Sequence, residues 1–495
     1  MSYLKKEILR FVKEYRLIKK NFFVNIVFLI LLITCSFSCN NTYTNNSTDN
    51  YLTKADVEKD CKELDKYLRN AYILYDDNIE LHPELENLGK NVIVNLYKNN
   101  RSSNNSKITV DDFKKTITSE LKKSISIPDS HLHVFTSWDN SSTRTDMLFP
   151  HKSVYFTEVL LTEVDGQFCI IDSPIPEIKS GDIYTGKIDN VFPVIKDGKS
   201  CLQYGVVTPN KIKMCTISVN NQNFQIKVIQ KKNDYNESKN ENVKIRGNNI
   251  FISNVDFYFP EKIISSFPIP EDDIYKYNVI LDLRNNSGGY TDTCIDYLNL
   301  LLFGNTEYEK LKIWNKQCMN ENKALLSPVT WKASYNLAKD LRLPEQRLRK
   351  LKVMELFFKI FNIKRITTDT ISEKDKNVKL EFSKSYYPKK IIILMNRKTA
   401  SAAELLIADF YALANNRVIT IGENSAGCVN FMGTYSYYLP KSKIGIRLSS
   451  IDERSIKQLD NPKFKGEQTG FYPDYWFTSD DEELINNFIN NITKE

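Results

Sequence analysis

The chain has 495 residues, 41% of them hydrophobic and 12% aromatic, which excludes global disorder and is enough for more than one packed core. Its net charge of +7 is concentrated at one end: the first twenty residues hold seven lysines and arginines against two glutamates, leaving only about +2 for the rest. A nucleic-acid partner therefore gains no support from charge.

The basic head runs into "NFFVNIVFLILLIT" (21–34), an apolar stretch shorter than the ~20 residues a spanning helix requires. Basic, then apolar, then small and polar is the order of an export signal. The run ends in "TCSFSCNN", where a cysteine resembles the lipid-attachment site of bacterial lipoproteins. Cys39, preceded by Ser38, is the expected attachment point, with Cys35 and an uncleaved anchor as alternatives. Residues 1–39 are thus expected to be a signal, and 40–50 a polar tether. The body would then face an extracytoplasmic space of a bacterial cell envelope, held to the membrane by lipid or anchor. Seven further cysteines lie scattered without a CxxC pair, so metal clustering is unsupported.

Residues 51–149 read as a helical subdomain, with Val57, Cys61, Leu64, Leu68 and Tyr72, then Phe113, Ile117 and Leu121, at helical spacing. Within it "SHLHVF" (130–135) alternates as a strand would, putting His131 and His133 on one face. From 150 to 235 short β-like runs broken by Gly and Asp turns suggest a small separate β-rich domain. Its "EIKSGDIYTGKIDN" is similar to the Gly-Asp-Ile turn of PDZ domains. A charged, Asn-rich linker (231–244) leads to a third region, 236–495. There "YNVILDLRNNSGG", "KKIIILMN" and "RVITIGE" read as buried strands alternating with helices, an α/β layout. An insertion of about 304–388 carries a basic amphipathic segment, either capping a site or docked on its own domain.

The stretch "NRKTASAAELLIADF" places Ser401 among alanines at the head of an apolar helix. A strand ending in Gly-Gly leaves backbone N–H groups approachable, and a helix start offers more of them beside the positive end of its dipole. Together they make the setting an acyl-transfer enzyme needs: a nucleophile beside donors aimed at developing negative charge. Ser401 as a plain helix cap is the competing reading.

"VILDLRNNSGG", "LMNRKTASAAELL", "IGENSAG" and "GEQTGFYPD", in that order across about 278–477, resemble the S41 peptidase family of C-terminal processing and tricorn-like serine proteases. The resemblance implies an α/β, ClpP/crotonase-like catalytic core, with an N-terminal helical subdomain and a small β-rich PDZ-like domain. One branch of the family uses a Ser–Lys dyad, but the position of that lysine holds Cys428 here, and a thiol does not replace the amine. The tricorn-like branch takes its base from a Ser-His pair in the N-terminal part, and "PDSHLHVF" supplies Ser130 and His131. By that resemblance His131 is the general base for Ser401, and Ser130 and Glu467 orient it, with Asp452 and Glu453 as competing acids. The oxyanion would be held by the N–H of Ala402 and that of Gly288, or of Gly289 if the turn is shifted by one. Glu404 is read as supporting the helix.

The expected function is serine-type hydrolysis of peptide bonds in exported proteins or peptides, with no cofactor and no metal. A His131–His133 metal pair would lack a third ligand. The alternatives are an inactive relative that only binds peptides and an acyl-CoA-type enzyme on a related fold. Oligomeric state is left open.

Overall fold

The computed structural model describes residues 51–100, 108–136, 147–196, 198–229, 243–258, 260, 264, 267, 271–319, 321–368, 373–383, 387–477 and 482–494. The expected signal and the cysteines Cys35 and Cys39 lie outside the described residues. Among those described, no helix is long and apolar enough to cross a membrane.

The longer helices that open the fold are α1 (Lys54–Ala71), α2 (Leu88–Asn100) and α3 (Val110–Ser124), with a short helix at Tyr75–Leu81 between the first two. Thr53 and Thr109 cap α1 and α3 by accepting from the N–H groups of Asp56 and Asp112. Beyond α3 come β1 (His133–Phe135), β2 (Ser153–Val164), β3 (Gln167–Asp172), β4 (Val191–Lys196) and β5 (Lys199–Thr208). Next in the chain are β6 (Val243–Arg246), β7 (Asn249–Ile252), β8 (Asn278–Asp282) and helix α4 (Thr293–Phe303). After β9 (Lys323–Leu326), α5 (Pro328–Asp340), α6 (Glu345–Ile360) and β10 (Arg365–Thr368) comes β11 (Ile391–Met395). The chain finishes with α7 (Ala402–Ala414), β12 (Val418–Gly422), β13 (Phe431–Tyr438), β14 (Gly445–Asp452), β15 (Tyr475–Phe477) and α8 (Glu482–Lys494).

A ten-stranded sheet runs in the order β6-β7-β8-β11-β12-β15-β4-β5-β2-β3. Its centre, β7 through β4, is parallel. Period-two alternation divides the central side chains between two helical layers. Val279, Leu281, Ile391 and Ile393 pack with Leu298, Leu301, Leu405 and Leu406 of α4 and α7. Their neighbours Ile280, Ile392 and Leu394 pack with Ile485, Phe488 and Ile489 of α8. The hydrophobic runs of β8 and β11 are therefore apolar because both faces are covered.

The β-rich stretch does not stand apart from this sheet. Trp476 and Phe477 of β15 pair with Val194 and Ile195 of β4, which carries β5, β2 and β3 onto the sheet's end. The N-terminal helices likewise share a core with a second sheet, in the order β10-β9-β14-β13 with β1 paired to β14. Leu64, Leu68, Phe113 and Ile117 pack there with Phe431, Ile446 and Leu448. Strand β9 of the insertion joins the same sheet, and Ser327, which caps α5, donates to the Asn70 carbonyl at 2.6 Å. In these elements the insertion is docked on its own fold.

Asp409 on α7 is fully buried, with the Gln458 amide donating to it at 3.2 Å, and burial pushes its carboxyl up to about 8. A carboxyl with a higher pKa folded than unfolded holds its proton in the folded state after the unfolded chain has lost it. Stability then falls as pH rises from about 4 through 8. Asp129 and Glu467, raised to about 7 and about 8, act in the same direction. The melting temperature is expected to drop between pH 6 and 9, and Asp409→Asn to flatten part of that drop. An unchanged slope in the variant would count against a neutral Asp409.

Candidate active site

Strands β8, β11 and β12 are adjacent and parallel, so the loops that follow them gather at one edge of the sheet. These loops are laced together by hydrogen bonds. Ala400 N–H donates to the Asn286 carbonyl at 2.9 Å, Thr399 Oγ1 to the Leu283 carbonyl at 2.7 Å, and Ala426 N–H to the Thr399 carbonyl at 2.8 Å. The side chain of Asn396 bridges back to Asn285 from both of its polar atoms.

Ser401 is the residue before α7, with φ 60° and ψ −126°. A left-handed φ costs a non-glycine residue about 1–3 kcal/mol, and such strain persists only where the surroundings impose it. Here Gly288, at φ +84°, lies directly against it. A Cβ on Gly288 would stand 2.6 Å from the Ala400 carbonyl, 2.7 Å from Ala402 N and 2.8 Å from Ser401 Cβ. The Gly-Gly turn and the serine turn are thus fitted to one another. The Gly288 N–H, expected to face an oxyanion, donates instead to Asn286 Oδ1 at 2.9 Å.

His131 reaches the same place from the N-terminal part. The strand expected over 130–135 begins only at His133, so His131 occupies the turn before β1 rather than sharing a strand face with His133. Ser130 Oγ donates to the Gly427 carbonyl at 3.0 Å, which fastens this turn to the loop after β12. His131 Nε2 lies 3.2 Å from Cys428 Sγ, and Cys428 packs with Ala400 and Ala426 beside the serine. Ser401 Oγ meets Met432 Sδ at 3.5 Å. Cys428 thus stands between the imidazole and the residue before the serine, and the serine and the imidazole are each turned toward a sulfur neighbour. Burial, and then the nearby His133, Arg447 and His151, push the imidazole down to about 3, with only the Phe431 backbone favouring its charged form. His131 is accordingly neutral at ordinary pH, the state a proton acceptor needs.

Two carboxylates frame the loop after β12. Glu404 is fully buried and accepts from Ser425 Oγ at 2.5 Å, from the N–H groups of Gly427 and Cys428 at 2.8 Å each, and from the Ser401 N–H at 3.2 Å. It thereby ties the helix that follows Ser401 to the Cys428 loop, beyond the helix-supporting role its spacing suggested. Glu467 accepts from the Ser130 N–H at 2.9 Å and the Asn430 N–H at 3.3 Å, and these bonds run to backbone rather than to the His131 ring. Of the competing acids, Asp452 is engaged by Arg454 at 2.7 Å. Among the described residues no group of three His, Cys, Asp or Glu side chains is placed to hold a metal ion.

A serine at a strained strand-to-helix turn, a close-packed glycine turn and a neutral histidine against the neighbouring Cys428 are parts a serine hydrolase uses. Residues 275–457 match the model of peptidase family S41. The match includes Gly288, Ser401 and Cys428 and stops short of both His131 and Glu467. No curated protein matches the chain. Among solved structures, mature CPAF is similar at 13% identity and a TM-score of 0.37, covering 88% of this chain and 98% of that one. The photosystem II D1 C-terminal processing protease follows at 12% and 0.28, covering 86% and 93%. The tricorn protease follows at 13% and 0.33, covering 89% and 37%. At these scores the three likenesses carry no weight in assigning the site.

Proposed function

We propose that the protein hydrolyses peptide bonds with Ser401 as nucleophile and His131 as general base, in the manner of the histidine-base branch of its family. The observation that carries this reading is the contact of a neutral His131 with Cys428, which packs against Ala400 beside Ser401 at its strained helix-start turn. A rotation of the imidazole from Cys428 Sγ and of the hydroxyl from Met432 Sδ would pair the two; such bonds commonly tighten only when substrate is present. His131 then takes the hydroxyl proton and returns it to the leaving amine. The tetrahedral oxyanion would be held by the Ala402 N–H and a second donor from the Gly288–Gly289 turn. Ser130 and Glu467 would fix the histidine-bearing turn through the backbone.

The test is labelling by a fluorophosphonate probe of the wild type, Ser401→Ala and His131→Ala. Label is expected in the wild type, none in Ser401→Ala, and at least a ~10²-fold slower rate in His131→Ala. Equal labelling of all three would sink the mechanism, and no label in the wild type would favour a peptide-binding relative without activity.

We further propose exported proteins or peptides as substrates and an extracytoplasmic, membrane-tethered location, supported by the basic head, the apolar run and the cysteines that follow it. Intact-mass analysis of membrane-extracted protein should find a lipid-modified N-terminal cysteine at 39. A chain still beginning at Met1 would point to an uncleaved anchor instead.

A further inference from the structure

The hydrogen bonds of Ser130 and Glu467 leave the orientation of the His131 ring unexplained. A general base must present one nitrogen to the serine with its proton on the other, and something must hold that tautomer. His131 Nδ1 is buried with no hydrogen-bond partner, and so is Asp129 Oδ2. Asp129 Oδ1 stands 4.0 Å from Nδ1, and among the described residues no other carboxylate lies as close to the ring. We propose that Asp129 is the carboxylate that orients His131, accepting from Nδ1–H when substrate closes the site. The assignment rests on the reading of Ser401 and His131 as nucleophile and base.

Three features support it. The carboxylate is already anchored for the task, because Oδ1 accepts from the His131 N–H at 2.9 Å and from Ser449 Oγ at 3.2 Å. Those bonds hold its position while Oδ2 remains uncommitted. The 4.0 Å contact with Nδ1 is made by Oδ1 and is too long for a hydrogen bond, so the bond requires a rotation of the ring or the carboxylate that brings the uncommitted Oδ2 into reach. Finally, the pocket otherwise opposes an imidazolium, which must form as His131 takes the serine's proton. His133, Arg447 and His151 all act against it, and an ionised Asp129 is the group positioned to offset them. Asp129 itself is held up to about 7 by burial, with Glu467 and Tyr72 also coupled to it electrostatically. Activity that needs its ionised form rises with pH through that region.

The experiment follows the rate of fluorophosphonate labelling in the full chain against probe concentration and pH, in wild type, Asp129→Asn, Glu467→Gln and Ser401→Ala. Asparagine retains an oxygen for the His131 and Ser449 donors but replaces the uncommitted Oδ2, the acceptor that Nδ1–H would use, with an N–H₂ group. Asp129→Asn should melt near the wild type and bind the probe equally well. Its maximal labelling rate should fall ~10²–10⁴-fold, and its acid limb near pH 7 should vanish. Glu467→Gln should keep that limb. An unaltered rate and pH profile in Asp129→Asn, with Ser401→Ala unlabelled, overturns the assignment of Asp129 alone, as it would if the Phe431 backbone set the tautomer. Equal labelling of Ser401→Ala removes the serine-peptidase reading itself. Should Asp129→Asn fail to fold, ¹⁵N spectra of the wild type decide, since only four histidines are present. A neutral ring protonated on Nδ1 supports the proposal, and one protonated on Nε2 overturns it.

Discussion

Gly288→Ala is expected to cost about 2–5 kcal/mol of stability and to slow fluorophosphonate labelling by at least ~10²-fold. Two effects add. At φ +84° any Cβ is strained, and here that Cβ would also press on the Ala400 carbonyl, Ala402 N and Ser401 Cβ at 2.6–2.8 Å. None of the three is the far end of a flexible side chain. All belong to the turn that places Ser401, so relief of the clash displaces it. Gly247→Ala is the control, because Gly247 has φ +57° with nothing within 4 Å of its would-be Cβ. It should show the backbone penalty alone and label at the wild-type rate. Wild-type labelling in Gly288→Ala would mean that the glycine turn and the serine turn are not fitted as described.

Glu404→Ala should destabilise the fold by on the order of 3–5 kcal/mol and abolish labelling. The carboxylate gathers donors from Ser401, Ser425, Gly427 and Cys428, and truncation leaves all of them buried without an acceptor. Part of the loss is offset, since burial already disfavours the ionised carboxyl and raises its pKa. Denaturant unfolding measures the first effect and probe labelling the second. A loss of stability with labelling intact would confine Glu404 to the core and separate it from the placement of Ser401.

The strands and helices of residues 278–423 were legible because each carries a strong local signal. β8 and β11 are unbroken apolar runs covered on both faces, and α7 is apolar from its first turn. Ser401 and the glycine turn were legible for the same reason, as local punctuation at the ends of those elements. The sheet's full extent was not. Pairing of Trp476 with Val194 joins segments about 280 residues apart, and no periodicity encodes which edges meet. The β-rich stretch therefore read as separate when it is the continuation of one sheet.

Cys428 shows the division most plainly. The sequence alone shows that no lysine stands there, which removes one kind of base and leaves a chain with only four histidines to supply another. Only the tertiary structure brings Cys428 Sγ to 3.2 Å from His131, joining positions 297 residues apart. The same holds for the acids. Glu467 was found by its motif, yet its bonds run to backbone, whereas Asp129, two residues before the histidine, has one carboxylate oxygen 4.0 Å from the ring and the other without a partner. By itself the sequence determined the chemical types present and the strand and helix ends that hold them, because these follow from composition and local pattern. Which donors each buried carboxylate meets was decided by long-range packing, as when Glu467 accepts from Ser130, 337 residues away, because no local pattern encodes contacts between distant segments.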